Sequence, residues 1–412
     1  MPRTALAVPD PDDEPSAKKS PRRSSKVKDG ITKRGNTWSY VIRVTNPENG
    51  VSSPKWVGGF ATEEDAKAAR DEARVKARRG QYIDRSAITV GEYLDEWIDG
   101  HAVMLKPKTL ADYRATITRY IKPNIGGLRL QAVQPTQISR LYRVLLVSGG
   151  RNGSPLSART VGYVHTVLRK AFEDAVNIEQ LITSNPVARA KRPRAALVEP
   201  GKVWGPEQLR AFLKSAGEHR LFAFYRLAAY SGARRGELLH LQWPNVDFDA
   251  SEIRLTGSAN FVNGQRIEGT TKSGRSRVVS LDAETMKILK AHRERQEADK
   301  AKAGDGWNGG RYVFMTGWGE PVHPDTVSSL MAKLIEAHNK ANETAPLPYA
   351  RLHDLRHVHA TLLLVAGIPV HLVAARLGHA DPAITLRVYA HVINARLSEA
   401  ADAFAKLVEP EE

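Results

Sequence analysis

LLLVAGIPVHLVAARLGHADPAITLRVYAHV, residues 362–392, is the stretch that decides the fold of this chain. Its apolar residues recur at helical spacing, and Gly367 and Gly378 divide it into segments. Pro382 provides a start signal for a further helix, which carries Tyr389. The stretch therefore predicts a helix that stops at the first glycine, a second that runs to the next glycine, and a third that holds the tyrosine.

The strongest short motif is HDLRH, residues 353–357, just upstream. On a helix His353 and Arg356 are three residues apart and share a face, so both can reach the same phosphate. The planar guanidinium suits two non-bridging oxygens, and His353 can hold or take the proton of a tyrosine. Asp354 and His357 are expected to pack or hydrogen-bond within the domain.

A metal site is the competing interpretation of this motif. His353 and His357 are four residues apart, and His359 is close to both. The zinc-protease pattern, however, requires glutamate at the position where this chain has Asp354. We therefore predict no metal ion and no other cofactor.

Two basic motifs precede the histidines in the chain. In SGARRGEL, residues 231–238, Gly232 predicts a break that leaves Arg234 at a helix start, a position that suits contact with a phosphate. In TKSGRSR, residues 271–277, KSGR predicts a turn that carries Lys272. The residues around this turn predict a three-stranded antiparallel sheet, with strands at 252–256, 264–269 and 275–281.

Composition indicates a polyanionic partner. The 412 residues include 61 Lys and Arg against 45 Asp and Glu, which gives a net charge of +16 and a pI near 9.9. Such an excess favours nucleic acid, and the most apolar stretch is too short and too interrupted to span a membrane. The chain has no cysteine, which excludes disulfides and thiolate metal sites and is consistent with a reducing cytoplasm. At typical sizes of about 100–200 residues, two or three domains are expected.

The order of segments predicts an α+β multidomain protein. Residues 1–30 form a disordered basic tail, residues 31–85 a small sheet closed by one helix, and residues 88–184 an all-helical domain. A linker at 185–202 leads to a mainly helical domain at 203–400 with its small antiparallel sheet, and residues 401–412 form a C-terminal tail. Arginines on exposed faces are candidate DNA contacts, although a solvated face explains any one of them equally well. The candidates are Arg43, Arg114, Arg159 and Arg169, together with Thr45, which neighbours Arg43 on the same strand face.

These motifs, in this order, resemble the tyrosine recombinase (phage integrase) family over roughly residues 200–395. The three domains resemble the arm-type DNA-binding, core-binding and catalytic domains of a lambda-integrase-like recombinase. The resemblance implies that the catalytic residues are those in the matching positions: Arg234, Lys272, His353, Arg356, His379 and Tyr389. Arg234, rather than Arg235, then binds the phosphate, and Lys272 protonates the departing 5′ oxygen. His379 takes the position of a histidine or tryptophan that hydrogen-bonds the scissile phosphate.

The resemblance also implies an activity and its partners. Attack by Tyr389 gives a 3′-phosphotyrosyl bond that preserves the energy of the diester, so strand exchange needs neither ATP nor a metal ion. The expected partners are double-stranded DNA with core and arm sites, three further copies of the chain, a directionality factor and a host DNA-bending protein. An integrase of a phage or mobile element is the first interpretation. The alternatives are a chromosome-dimer resolvase, a transposon recombinase, a type IB topoisomerase and, from another class, a DNA-binding regulator without catalysis.

Overall fold

The computed structural model describes residues 29–45, 50–79, 82–194, 203–271 and 274–386, together with Tyr389 and Phe404. The chain divides into two compact units, and the division falls within the helical block. One unit holds the described residues up to Tyr93 together with Asn124–Val144 and His165–Arg192, and the other holds Leu94–Pro123, Leu145–Val164 and the described residues from Pro193 onward. Nearly all of the predicted basic tail and of the predicted C-terminal tail lies outside the described residues, as does most of the second half of the predicted linker. The domain boundaries remain a prediction.

The N-terminal block is a sheet covered by one helix, as predicted. Its strands are β1 (Ile31–Arg34), β2 (Thr37–Thr45) and β3 (Ser52–Phe60), antiparallel and in that order. Helix α1 (Glu63–Arg78) begins after Thr62, whose hydroxyl accepts a hydrogen bond from the Asp65 N–H at 3.1 Å. Alternation along β2 buries Tyr40 and Ile42 in the same cluster as Ala66 of α1. On the opposite face, here called the open face, the side chains of Arg43 and Trp56 are exposed.

The second block is helical. Its helices are α2 (Val90–His101), α3 (Pro107–Thr116), α4 (Lys122–Ile125), α5 (Pro135–Ser148) and α6 (Ala158–Asn177). A π-helical turn, Ile117–Ile121, joins α3 to α4, so helical structure continues from Pro107 to Ile125. The Tyr93 hydroxyl donates to the Ala171 carbonyl at 2.7 Å, which ties the start of α2 to α6. The all-helical character predicted for this block is confirmed.

The third block surrounds the largest apolar core. Its helices are α7 (Pro206–Ala216), α8 (Phe222–Ser231), α9 (Arg235–His240), α10 (Ala283–Ala303), α11 (Pro324–Ala341), α12 (Asp354–Val365) and α13 (Val370–Leu377). Phe224 packs edge-on against both Tyr225 and Phe314 in the core. Gly367 and Gly378 have φ of 84° and 70°, which left-handed glycines adopt without strain, and they end α12 and α13 as predicted. Residues 382–386 and Tyr389 are helical.

The predicted three-stranded sheet is wrong in its pairing. The strands are β4 (Val246–Asp247), β5 (Glu252–Leu255), β6 (Gly257–Val262), β7 (Gln265–Thr270) and β8 (Arg277–Ser280). They form one sheet in the order β4-β5-β8 and a separate hairpin of β6 and β7. Asn263 and Gly264, with φ of 51° and 79°, make the tight turn that pairs Val262 with Gln265. This turn commits β7 to β6, so β8 pairs with β5 instead.

Within the described ranges, no helix is long and apolar enough to cross a membrane.

Candidate active site

Arg234 is positioned by a sharp break between α8 and α9. Gly232, with φ of 62°, ends α8, and Arg234 is the residue immediately before α9. The Ser231 hydroxyl accepts a hydrogen bond from the Ala233 N–H at 3.2 Å, which fixes the turn. A Cβ at Gly232 would lie 2.7 Å from the His359 ring, so only glycine fits at this position.

The buried carboxylate of Glu237 lies between two arginines. Arg234 donates to it from its backbone N–H and from Nη1, each at 2.9 Å. Arg277 of β8 donates from Nη1 at 3.1 Å and from Nη2 at 2.7 Å. Burial opposes ionisation, yet the hydrogen bonds and charges of Arg277 and Arg234 hold the pKa of Glu237 below its usual value. The Arg234 guanidinium is thereby fixed both to its own helix and to the sheet.

Arg235, by contrast, turns away from this cluster. Its Nη1 donates to the Pro324 carbonyl at 3.2 Å and to the Ser328 hydroxyl at 2.8 Å, both at the start of α11. Of the two adjacent arginines, only Arg234 shares the Glu237 carboxylate.

Arg356 is buried, but its hydrogen bonds go to main-chain oxygens rather than to a carboxylate. Nη1 donates to the Gly232 carbonyl at 2.6 Å and Nη2 to the Leu377 carbonyl at 2.8 Å. These carbonyls lie at the C-terminal ends of α8 and α13, where helix dipoles present partial negative charge. Burial, followed by the charge of Arg234, lowers the pKa of Arg356 to about 9. The guanidinium therefore stays charged at neutral pH and close to Arg234.

Tyr389 is buried against α12, with its hydroxyl on a histidine. The exposed fraction of Tyr389 is 3%, and its Oη lies 2.8 Å from Nδ1 of His357. The His357 and His353 rings meet edge-on, with centroids 5.2 Å apart. Burial raises the pKa of Tyr389 to about 12, an effect that the nearby charge of Arg356 partly offsets. The hydroxyl is therefore protonated at neutral pH.

The two predicted site histidines, His353 and His379, are both neutral at pH 7. His353 keeps an exposed surface, but partial burial and the charges of His357 and Arg356 lower its pKa to about 4. His379 follows α13, and its Nδ1 lies 2.7 Å from the Thr385 hydroxyl. Burial and then the charges of Arg356 and Arg234 lower the pKa of His379 to about 4. The charges of Arg356 and Arg234 therefore contribute to lowering the pKa of both histidines.

His359 has a structural position. Its Nδ1 lies 2.8 Å from the Ala229 carbonyl, to which it donates, and its Nε2 accepts from Arg376 Nε at 3.0 Å. The three histidines of α12 and its N-terminus thus have different surroundings. Among the described residues, no group of three His, Cys, Asp or Glu side chains is arranged to hold a metal ion.

Lys272 lies outside the described residues. On either side of it, the Gly274 N–H donates to the Thr271 carbonyl at 3.0 Å, and Gly274 has φ of 72°. The predicted KSGR turn includes Lys272 and Ser273 and therefore lies partly outside the described residues. The role of Lys272 remains a prediction.

The five predicted DNA contacts are all exposed: Arg43, Thr45, Arg114, Arg159 and Arg169. Arg43 Nη2 donates to the Ser52 carbonyl at 3.0 Å, which holds its guanidinium beside the open face of the sheet. Arg114 donates to Asp99 at 2.7 Å, and this ion pair satisfies part of its charge within the protein. Their contact with DNA remains a prediction.

Sequence patterns did not indicate two of these features. One is the hydrogen bond between His357 and Tyr389, and the other is the pairing of Glu237 with Arg277. The glutamate does have a local signal, because it stands three residues after Arg234 in a capping position. Arg277, the partner of Glu237 on β8, has no such local signal.

Three segments of the chain match known families. Residues 205–396 match the phage integrase family, residues 89–146 the N-terminal SAM-like domain of phage integrases, and residues 30–77 an arm DNA-binding domain. A tyrosine recombinase XerC-like protein of Caldanaerobacter subterraneus subsp. tengcongensis is 28% identical over 91% of this chain and 97% of its own length. The ICEBs1 integrase of Bacillus subtilis is 27% identical over 83% of this chain and 88% of its own.

Solved structures share the fold. The Tn1549 transposon integrase, in complex with a circular intermediate DNA, has a TM-score of 0.65 at 20% identity and covers 78% of this chain and 100% of its own. A lambda integrase tetramer bound to a Holliday junction has a TM-score of 0.52 at 18% identity and covers 87% and 97%. The fold is therefore that of a tyrosine recombinase, with arm-binding, SAM-like and catalytic segments in that order. The chain belongs to the phage integrase family.

Proposed function

We propose that this chain is a site-specific DNA recombinase in which Tyr389 attacks the scissile phosphate. The observation that carries the proposal is that a buried tyrosine hydroxyl lies close to the charge of Arg356, which in turn lies close to the charge of Arg234. A phenol attacks a phosphodiester only where cations stabilise the charge of the pentacoordinate phosphorane and of the phenolate. The site contains both cations.

The two arginines are suited to different parts of the phosphate clamp. Arg356 uses two of its five N–H donors on main-chain carbonyls, so its positive charge is not cancelled by a bonded carboxylate. Arg234 is oriented by Glu237 and remains partly exposed. Together they bind the non-bridging oxygens, and His353 and His379 add neutral hydrogen-bonding groups to the same phosphate.

Departure of the 5′ oxygen requires a proton, because an alkoxide is a poor leaving group. Lys272, which precedes β8 in the sequence, is the proposed donor. The products are a 3′-phosphotyrosyl bond and a free 5′-hydroxyl. A 5′-hydroxyl from a second duplex reverses the step, so the reaction needs neither a metal ion nor ATP.

The arm domain favours an integrase over a chromosome-dimer resolvase or a topoisomerase. Its open sheet face carries Arg43 and an exposed Trp56, over which the Arg34 guanidinium stacks at 4.4 Å. Such a face suits contact with a second DNA segment. The proposed assembly is a tetramer on core-site DNA, with a directionality factor for excision and a host protein that bends the DNA.

The test is covalent capture on a core-site duplex with a nick close to the cleavage position, which traps the phosphotyrosyl product. The wild-type chain should give a covalent protein–DNA adduct, and Tyr389→Phe should bind the same duplex without forming it. An adduct from Tyr389→Phe would remove Tyr389 from the nucleophile's role.

A further inference from the structure

The hydroxyl of Tyr389 is held by His357, not by His353. Oη and Nδ1 are 2.8 Å apart, and within the described part of the chain this is the hydrogen bond that the hydroxyl makes. The ring of His357 lies on the same face of α12 as His353, one turn further along the helix. His353 was the residue that the motif predicted to hold or take the tyrosine's proton.

The protonation states allow Tyr389 to be the donor in this hydrogen bond. Burial lowers the pKa of His357 below its ordinary value, with Arg356 and Arg351 acting in the same direction and Asp354 opposing them. The imidazole is therefore neutral at pH 7, while the phenol of Tyr389 is protonated. In the tautomer that carries its proton on Nε2, Nδ1 of His357 holds the lone pair and accepts the hydrogen bond from the protonated phenol.

Resting on the proposed function, we propose that His357 is the general base for Tyr389. As the phenolic oxygen forms its bond to phosphorus, the O–H bond breaks and its proton passes to Nδ1. The bond between phosphorus and the 5′ oxygen breaks, and that oxygen takes a proton from the general acid. In the rejoining step the 5′-hydroxyl attacks and gives its proton back to the general acid, while the tyrosyl oxygen leaves and takes back its proton from His357. Every proton is thus accounted for over one cycle.

The surroundings of His357 fit a transient imidazolium. Asp354 lies three residues before it on α12 and stabilises its charged form. Three interactions with Arg351 hold that carboxylate in place, including a hydrogen bond from the Arg351 backbone N–H at 2.8 Å. Arg356 opposes protonation in the resting site, but a bound phosphate offsets its charge. Phosphate binding therefore makes His357 a stronger base when the proton must move.

This division of labour frees His353 for the substrate. His353 keeps an exposed surface beside Arg356, where it can hydrogen-bond a phosphate oxygen. The two histidines of HDLRH then have separate tasks, one on the nucleophile and one on the phosphate.

The test compares His357→Asn with the wild-type chain on the nicked core-site duplex. Asparagine places an oxygen near the position of Nδ1, so it can accept the tyrosine's hydrogen bond but cannot take up its proton. Removal of a general base should slow adduct formation by ~10²–10⁴-fold. Thermal unfolding and binding to the intact duplex should match the wild type, and His357→Gln goes through the same measurements if the asparagine variant unfolds.

A second measurement separates proton transfer from positioning. Tyr389 is replaced by a ring-fluorinated tyrosine, whose phenol ionises more readily and depends less on a base. If His357 takes the proton, the deficit of His357→Asn should shrink at least ~10-fold in this background, whereas the deficit of His353→Gln should stay the same. An unchanged deficit for His357→Asn, or a shrinking one for His353→Gln, would overturn the inference. Absence of any adduct from the wild-type chain would instead overturn the proposed function.

Discussion

Arg277 and Glu237 form a two-pronged ion pair, with Nη1 3.1 Å from Oε1 and Nη2 2.7 Å from Oε2. The same carboxylate orients Arg234, so the proposed phosphate clamp depends on the position of strand β8. Arg277 Nε also donates to the Arg376 carbonyl at 2.9 Å, near the end of α13. One side chain therefore links the sheet to the start of α9 and to the segment that carries His379.

Glu237→Gln should destabilise the fold. Loss of the charge leaves Arg277 and Arg234 without their shared buried carboxylate, and breaking such a pair costs about 3 kcal/mol. The folded-state pKa of Glu237 is below its ordinary value of 4.5, so its stabilisation is complete above that pH and is lost as the pH falls below it. The measurement is the free energy of unfolding by denaturant at pH 7 and at lower pH. The difference in the free energy of unfolding between the variant and the wild type should become smaller at low pH. A difference that stays constant with pH would contradict the assignment.

Cleavage should take place within one chain. Tyr389 is hydrogen-bonded to His357 of its own chain, one residue from Arg356. An equal mixture of Arg356→Ala and Tyr389→Phe chains should therefore form no more adduct than either variant alone, because neither contains a complete site. Mixtures of each variant with wild type serve as the control. Restored cleavage in the double mixture would mean that a neighbouring chain supplies the tyrosine.

Lys272→Ala should differ in kind from the arginine variants. Arg234→Ala and Arg356→Ala each remove a donor from the developing phosphorane charge, and each should slow cleavage by ~10²–10³-fold. When sulfur replaces the bridging 5′ oxygen of the substrate, the leaving group is a thiolate, which departs without protonation. On this substrate the lysine variant should recover much of its rate and the arginine variants should not. Equal recovery in all three would show that Lys272 is not the general acid.

Strand exchange should proceed in excess chelator, because the proposed mechanism obtains its positive charge from Arg234, Arg356 and Lys272 rather than from a Lewis acid. The measurement is recombination between two core-site duplexes with and without chelator. If chelation abolished cleavage and zinc restored it, histidines of HDLRH would have to act as ligands after all.

Arg43→Ala should weaken arm-site binding and leave core-site cleavage intact. The exposed guanidinium lies on the open face of the N-terminal sheet, and a base-specific contact contributes about 1–3 kcal/mol. Arg78→Ala, which removes an exposed arginine from α1 instead, is the matched control. Equal losses for both variants would indicate general attraction to phosphate rather than a reading face.

Local signals explain which parts of the fold the sequence predicts. Gly367 and Gly378 end their helices because left-handed geometry is a property of those residues themselves. The hairpin of β6 and β7 has an equally local signal in Asn263-Gly264. A three-stranded sheet that takes no account of this turn has the wrong pairing. The short motifs that contain the tyrosine, arginines and histidines likewise predict a candidate site from local sequence alone.

The relations between distant elements are not predictable in this way. The hydrogen bond between His357 and Tyr389 joins residues 32 positions apart, and it depends on how the tyrosine helix packs against α12. The bond from Arg356 to the Gly232 carbonyl spans 124 positions. A motif shows that an arginine is present. Whether a carboxylate neutralises its charge, or the charge is available to bind a substrate, depends on tertiary packing.

The two carbonyl anchors of Arg356 also bear on how such an enzyme can be re-engineered. Because both anchors are main-chain carbonyls, the position of Arg356 depends on the path of the backbone at Gly232 and Leu377, and a change in the length of either connection should displace it. Libraries that aim at new target sites should therefore keep both connections at their present length. Diversity belongs instead on exposed helix faces such as that of α6, where Arg159 and Arg169 lie.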